Sequence, residues 1–542
     1  MVRYAVMNEI KQDTVEVNIV DDDNMEAGCP VISDGKTVFL DPGDTRTLIV
    51  SDSGSGKTRR LVLPTLVSMA KSGENVIIHD PKGELYKYTG KIFKEKGYNV
   101  IVLNLRNPLT GQQFNPLHYP AFLYKTGNKS KATELFMDFS ISLYEPMVNK
   151  DDPFWVDMSE QYFTGLCLLA CELFPIEKIT LNNIFELHLQ AKDKEGLSGK
   201  TAFQIFFGEY EEEENNKLKY GHIWRLLEGT VESALETKAS ILSTFSQPLA
   251  RLILNDNISD MLSASSFDIS KICDEKTAIF LCTRDETRVY DGLISGIMHQ
   301  LYVSVIETAE EKYSSVLPIR MNFMLEELGC MAKIMDLNSK LTASRSRNIR
   351  MYLVVQSLQQ LTLIYGEMES QIILGNTDTQ FYFHSSDISL LDFFSNKAGI
   401  TTTKYTNEKR PLLSPSELLH FDKESGQVLV FLKRNYPFVT YLPDISQYEI
   451  DYLGEMLKLE RRDRTYTGII DFSCYAKAII DRVHQRMESE LSKDEPEEEL
   501  LDPEDDFLLE DKEEESCDEI QLLEKKIERL LEKIDRLEET EF

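Results

Sequence analysis

The stretch RTLIV (46–50) runs directly into SDSGSGKT (51–58), and helical sequence follows from Lys57 through Lys71. An apolar strand that empties into a glycine-spaced loop and then a helix is the context of a phosphate cradle. Main-chain N–H groups wrap phosphate oxygens there, and glycines are needed where a side chain would collide. Within the loop formed by Ser53, Gly54, Ser55, Gly56, Lys57 and Thr58, the two glycines supply the close approach. Lys57 supplies charge for the β and γ oxygens, and Thr58 a hydroxyl for Mg²⁺. Ser51 stands where the usual pattern begins with glycine. That position shapes the strand exit and touches no phosphate through a side chain, so a small serine is tolerated there.

Such a loop commits its surroundings. NVIIHD (75–80) and YNVIVLNL (98–105) are further buried-strand candidates, with helical sequence over Glu84–Lys96 between them. Strand and helix in alternation give a parallel sheet covered on both faces. The rhythm stops between about Phe114 and Ser270, where helical periodicity dominates, as in Ser159–Phe174 and Val231–Phe245. Strands return at TAIFLCT (277–283), MNFMLEE (321–327), IRMYLVVQS (349–357), TQFYFHS (379–385) and QVLVFLK (427–433). The expected fold class is α/β, a P-loop nucleotide-binding domain split by an inserted all-α domain.

In residue ranges, a small N-terminal β region occupies 1–44 and the first part of the nucleotide-binding domain 45–114. The all-α insertion covers 115–270. The second part with a C-terminal extension covers 271–490. An acidic, disordered linker follows over 491–519 and an amphipathic helix over 520–542.

The formal charge of −32 argues against a nucleic-acid partner only until its distribution is examined. Sixteen acids against two bases between Lys493 and Glu519 account for −14 of it, so a local basic surface on the body remains open. The closing helix carries Ile520, Leu523, Ile527, Leu530, Ile534 and Leu537 at alternating spacings of 3 and 4, an a/d seam. It either docks on its own body or pairs with another chain. Eight cysteines without a CxxC pair or a histidine cluster fit a reducing cytoplasm, with neither structural zinc nor a disulfide framework. No apolar stretch approaches the roughly 18 residues that a membrane span needs.

A P-loop works with an apolar strand that ends in carboxylates, one for the metal shell and one to orient or deprotonate water. MNFMLEELG offers Glu326 and Glu327. Downstream, Lys333, Lys340, Arg345, Arg347 and Arg350 stand against Asp336 alone, a basic island in an acidic body. It reads either as a solvated helix face or as an arginine finger for a neighbouring subunit beside DNA-facing charges. The following strand ends at Gln356, a polar group placed to sense the γ-phosphate.

Taken in order, SDSGSGKT, HDPKGELY (79–86), FNPL (114–117), FMLEELG, VVQSLQQL (354–361), ILGNTDTQFYF (373–383) and RPLLSPSEL (410–418) resemble the TraG-like conjugative coupling proteins of type IV secretion. The likeness covers about Thr45 to Pro443. It implies a RecA-like ATPase, interrupted by an all-α domain, that assembles as a homo-hexamer. Such a ring uses ATP and Mg²⁺ to pass single-stranded DNA with its attached relaxase into a type IV secretion channel.

Carried over by position, Lys57 and Thr58 would bind phosphate and metal, Glu326 and Glu327 form the acidic pair, and Gln356 act as sensor. Arg345 falls where a trans-acting arginine belongs. Ser51 and Glu326 depart from the family pattern, as does the lack of N-terminal membrane helices. The expected location is therefore cytoplasmic, with recruitment to the inner face of the membrane through a separate membrane subunit. Two alternatives stay open. One is a soluble, ring-forming, DNA-dependent ATPase in mobile-element maintenance or defence, and the other a nucleotide-gated recruitment adaptor.

Overall fold

The computed structural model describes residues 2–491, except 24, 149–151, 193–199, 211–213, 285 and 403–407. The acidic linker and the a/d seam expected beyond 491 lie outside the described residues.

Among the described residues the strands are β1 (Val15–Asn18), β2 (Cys29–Ser33), β3 (Thr37–Asp41), β4 (Arg46–Ser51), β5 (Asn75–Asp80), β6 (Asn99–Asn104) and β7 (Thr277–Cys282). They continue with β8 (Met321–Leu325), β9 (Ile349–Val355), β10 (Thr379–His384), β11 (Ile400–Thr402), β12 (Lys409–Pro411), β13 (Gln427–Phe431) and β14 (Phe438–Tyr441). Nine of them form one sheet in the order β14-β13-β10-β4-β9-β8-β5-β7-β6. All pairings from β10 to β6 are parallel, whereas β13 and β14 close one edge antiparallel. The protein is thus mixed α/β, built on a large parallel sheet.

The strands read as unbroken apolar runs because both faces are covered. Along β4, Leu48 and Val50 enter one hydrophobic cluster while Ile49 enters the other, and β9 divides the same way at Leu353 and Val354. One cluster holds the helices Leu63–Ser72 and Glu84–Glu95 and the small antiparallel sheet β1-β3-β2. The other holds Asp291–Lys312, Leu337–Ser344 and the helices between β6 and β7.

No strand is found between β6 and β7 among the described residues; helices such as Phe154–Leu173, Glu214–Val231 and Leu235–Ile253 fill the interval. They share one continuous hydrophobic cluster with the sheet, within a single compact unit that runs from Met1 to Asp481. The helix expected over Val231–Phe245 is interrupted: Glu214–Val231 ends, and Leu235–Ile253 begins after the extended Ala234.

Candidate functional site

The parallel order brings the carboxyl ends of β4, β9, β8 and β5 side by side, and the polar residues gather there. From Ser51 at the end of β4 the chain turns through Gly54 at φ 77° and Gly56 at φ 87°, the left-handed region that favours glycine. A Cβ at Gly54 would meet nothing within 4 Å, so the loop opens onto free space as a cradle for an anion does. Ser51 itself has no positive φ, so nothing in its backbone demands glycine. Its buried hydroxyl instead hydrogen-bonds that of Ser55, which donates to the Asp52 carbonyl at 2.8 Å. The helix then opens with one wide π turn over Thr58–Val62 that runs straight into the α-helix Leu63–Ser72, and the π turn sits just before Pro64, which has no N–H to give the preceding turn.

Lys57 is 5% exposed, and its charge acts on both Glu326 and Glu327 beyond the end of β8. The Thr58 hydroxyl donates to Glu326 Oε1 at 3.0 Å. Glu326 Oε2 is buried without a partner among the described residues. Burial pushes the Glu326 carboxyl up to about 7, with the Lys57 charge and the Thr58 hydroxyl opposing. A buried carboxylate with one orphaned oxygen, a neighbouring hydroxyl and an ammonium fits a hard divalent cation held beside phosphate. No cluster of three or more His, Cys, Asp or Glu side chains able to hold a metal alone occurs among the described residues, so these two groups suit an ion that arrives with a nucleotide.

Glu327 differs from its neighbour. Burial opposes its charge, but hydrogen bonding from Lys82, the Lys57 charge and a hydrogen bond from Gln356 hold it below the ordinary carboxylate range. The Lys82 ammonium lies 2.9 Å from Glu327 Oε1. Glu327 sits at φ 54°, a conformation costly for a residue with a side chain, of a kind that clusters at functional sites. Behind the pair, His79 is fully buried and pushed down to about 4, hence neutral. Its Nδ1–H donates to the Glu326 carbonyl at 2.7 Å and its Nε2 accepts from Thr283 at 3.1 Å, which fixes the β5–β8 junction. Asp80 is pushed up to about 6 by burial, against backbone N–H groups such as that of Tyr86 at 2.9 Å. His79, Asp80 and Lys82 all belong to HDPKGELY, yet sequence reasoning gave them no role in the site.

The chain thus brings Ser53 to Thr58, Glu326, Glu327 and Gln356 together and leaves Arg345 apart. Arg345 opens the turn Arg345–Arg347 just ahead of β9, at the end of the sheet opposite the P-loop. Seven residues of strand separate the two ends, about 23 Å at ~3.3 Å per residue.

The basic island also dissolves. Lys340 and Arg350 are buried, Arg347 pairs with Glu310 at 2.6 Å and Lys333 with Glu369 at 3.1 Å. Arg350, 1% exposed, donates to the carbonyls of Ala27 and Pro42 at 3.1 and 2.8 Å, and so ties β9 to the leading sheet. Arg345 alone of the five remains exposed without an ion pair among the described residues. No helix among the described residues is long and apolar enough to cross a membrane.

Residues 4–441 match the family model described as type IV secretory system conjugative DNA transfer. The protein VirD4 of Rhizobium rhizogenes is 22% identical over 408 residues, 71% of this chain and 56% of VirD4. The conjugal transfer protein TraG of Escherichia coli is 23% identical over 459 residues, 75% of this chain and 68% of TraG. The chain therefore spans little more than half the length of the VirD4 relatives. Among solved structures, the plasmid coupling protein TrwB in complex with the non-hydrolysable GTP analogue GDPNP superposes with a TM-score of 0.57 at 15% identity, covering 87% of this chain and 98% of TrwB. TrwB in complex with ADP and Mg²⁺ gives 0.53 at 15% identity, over 87% and 97% of the two chains. A family match across most of the chain, on the sheet and loop just described, places this protein in the type IV secretory system conjugative DNA transfer family.

Proposed function

We propose that the protein is a conjugative coupling ATPase that binds ATP with Mg²⁺ at the Ser53–Thr58 loop and hydrolyses it to move single-stranded DNA with attached relaxase toward a type IV secretion channel. The observation that carries the reading is the pairing of a left-handed glycine loop with two adjacent carboxylates of opposite character. Glu326 is buried with a free oxygen beside Thr58; Glu327 is held ionised by Lys82.

In this reading Lys57 neutralises the β and γ oxygens, and the loop N–H groups fix their position. Thr58 Oγ1 and Glu326 would hold Mg²⁺, which when bound withdraws charge from the transferring phosphoryl group. Glu327 takes the proton of the attacking water, and Gln356, hydrogen-bonded to Glu327, reports whether the γ-phosphate is present. Arg345 lies at the end of the sheet opposite its own loop, which suits action on the nucleotide of the next subunit in a homo-hexamer. The helices between β6 and β7, Phe154–Leu173 among them, would help choose cargo. Recruitment to the cytoplasmic face of a membrane would pass through a separate membrane subunit.

Glu327→Gln tests the reading. It should bind ATP with near wild-type affinity but lower turnover by at least about 100-fold, the range that loss of a positioned general base costs. Unchanged turnover would remove Glu327 from the chemistry.

A further inference from the structure

Glu327, the proposed base, is already held by a cation. Its Oε1 accepts from the Lys82 ammonium at 2.9 Å. An oxygen that would accept a proton from water is therefore already paired with an ammonium. The partner holding it most strongly is also the most accessible: the Lys82 side chain is 40% exposed, while that of Glu327 is 5% exposed. Lys82 rides on the tight turn after β5, next to Gly83 at φ 69°.

Further cations stand along the same edge. β5, β7 and β6 are consecutive neighbours in the sheet, and just past their carboxyl ends stand Lys82, Arg284 and Arg106. Arg106 reaches back to the Pro81 carbonyl at 2.8 Å, and Arg284 donates to the Arg106 carbonyl at 3.2 Å, so the three sit on connected turns. Glu84 and Glu286 face the same edge; Glu286, 58% exposed, pairs with Arg106 at 3.1 Å.

We propose that Lys82 is a positioning residue that acts as a brake, holding Glu327 out of use until the phosphates of single-stranded DNA draw its ammonium away along the Lys82, Arg106 and Arg284 edge. A polyanion suits this role because it offers Lys82 a competing partner at the surface, where one ion pair to Glu327 is easily exchanged. Freed of Lys82, Glu327 Oε1 is open to accept a proton from water. DNA engagement and nucleotide hydrolysis are thereby linked within one subunit. The proposal rests on Glu327 serving as the base, as set out above.

The test compares wild type, Lys82→Met, Lys82→Arg and the double variant Lys82→Met with Glu327→Gln. Steady-state ATPase activity is measured with and without an oligothymidylate, and MgATP binding is followed by calorimetry in parallel. Lys82→Met should raise basal kcat about tenfold toward the DNA-stimulated rate, the factor given by ~1.4 kcal/mol for one partly exposed charge-assisted hydrogen bond. KM should stay unchanged and DNA should add little further. Lys82→Arg should keep the low basal rate and the stimulation, and the double variant should stay slow.

A Lys82→Met kcat that falls or does not move, with MgATP still bound, overturns the brake while leaving the nucleotide site intact. A rise in KM in its place would make Lys82 a phosphate ligand, which also overturns it. Wild-type protein that binds no MgATP would refute the nucleotide reading itself and the brake with it.

Discussion

Replacing Glu326 with glutamine isolates the energetic cost of burying a carboxylate for a cation. The folded protein raises this carboxyl from 4.5 to about 7, mainly by burial, and a shift of that size converts at ~1.36 kcal/mol per pH unit to about 3 kcal/mol. The sign follows from the direction. A carboxyl whose folded value lies above its unfolded value holds its proton more tightly when folded, so its favourable contribution is complete below pH 4.5 and disappears as pH rises through about 7. In EDTA and without nucleotide, wild type should therefore lose about 3 kcal/mol from this group between pH 4.5 and 8. Glu326→Gln, which cannot ionise, should not lose it. Asp80 is shifted in the same sense but is present in both proteins, so it largely drops out of the difference. Urea unfolding across that pH range, plotted as the stability of Glu326→Gln minus wild type, should climb by about 3 kcal/mol. MgATP should then stabilise wild type more at pH 8 than at pH 5. A flat difference plot would show that Glu326 is not held against its own ionisation, and would remove the main physical argument for a cation beside Thr58.

Arg345→Ala and Lys57→Ala should each lack turnover alone yet recover part of it when mixed, because some neighbours then join an intact loop to an intact arginine. Mixed rings that form and stay inactive would oppose a role in trans. Arg350→Met should cost about 3 kcal/mol by stranding the carbonyls of Ala27 and Pro42, without changing the salt dependence of single-stranded DNA binding. A stable variant with a shallower salt slope would return Arg350 to a DNA-facing role.

The parallel sheet was legible because each strand buried on both faces leaves a continuous apolar run. Every run expected from Arg46 to Lys433 overlaps an observed strand. The strand β14 escaped notice because FVTY is short and, as an edge strand, mostly less buried, which leaves too little pattern to read. The helix Met7–Gln12 has six residues, fewer than two turns of periodicity. In the site, the P-loop and the acidic pair each carry their own local signature. The contribution of Lys82, His79 and Asp80 depends on β5 lying beside β8, although about 240 residues separate them in sequence, and no local pattern records that neighbour. The basic island misled for the converse reason: five positive residues lie close in sequence, but the register of β9 buries Arg350 and the packing of Leu337–Ser344 buries Lys340.

The most direct measurement is steady-state ATPase activity of the wild-type chain with and without single-stranded DNA, with Lys57→Ala as control. The account predicts slow basal turnover, a clear rise with single-stranded DNA that weakens as salt increases, and no activity above background in Lys57→Ala. Turnover that ignores DNA at every salt concentration, or that survives in Lys57→Ala, would contradict a DNA-coupled ATPase at this site.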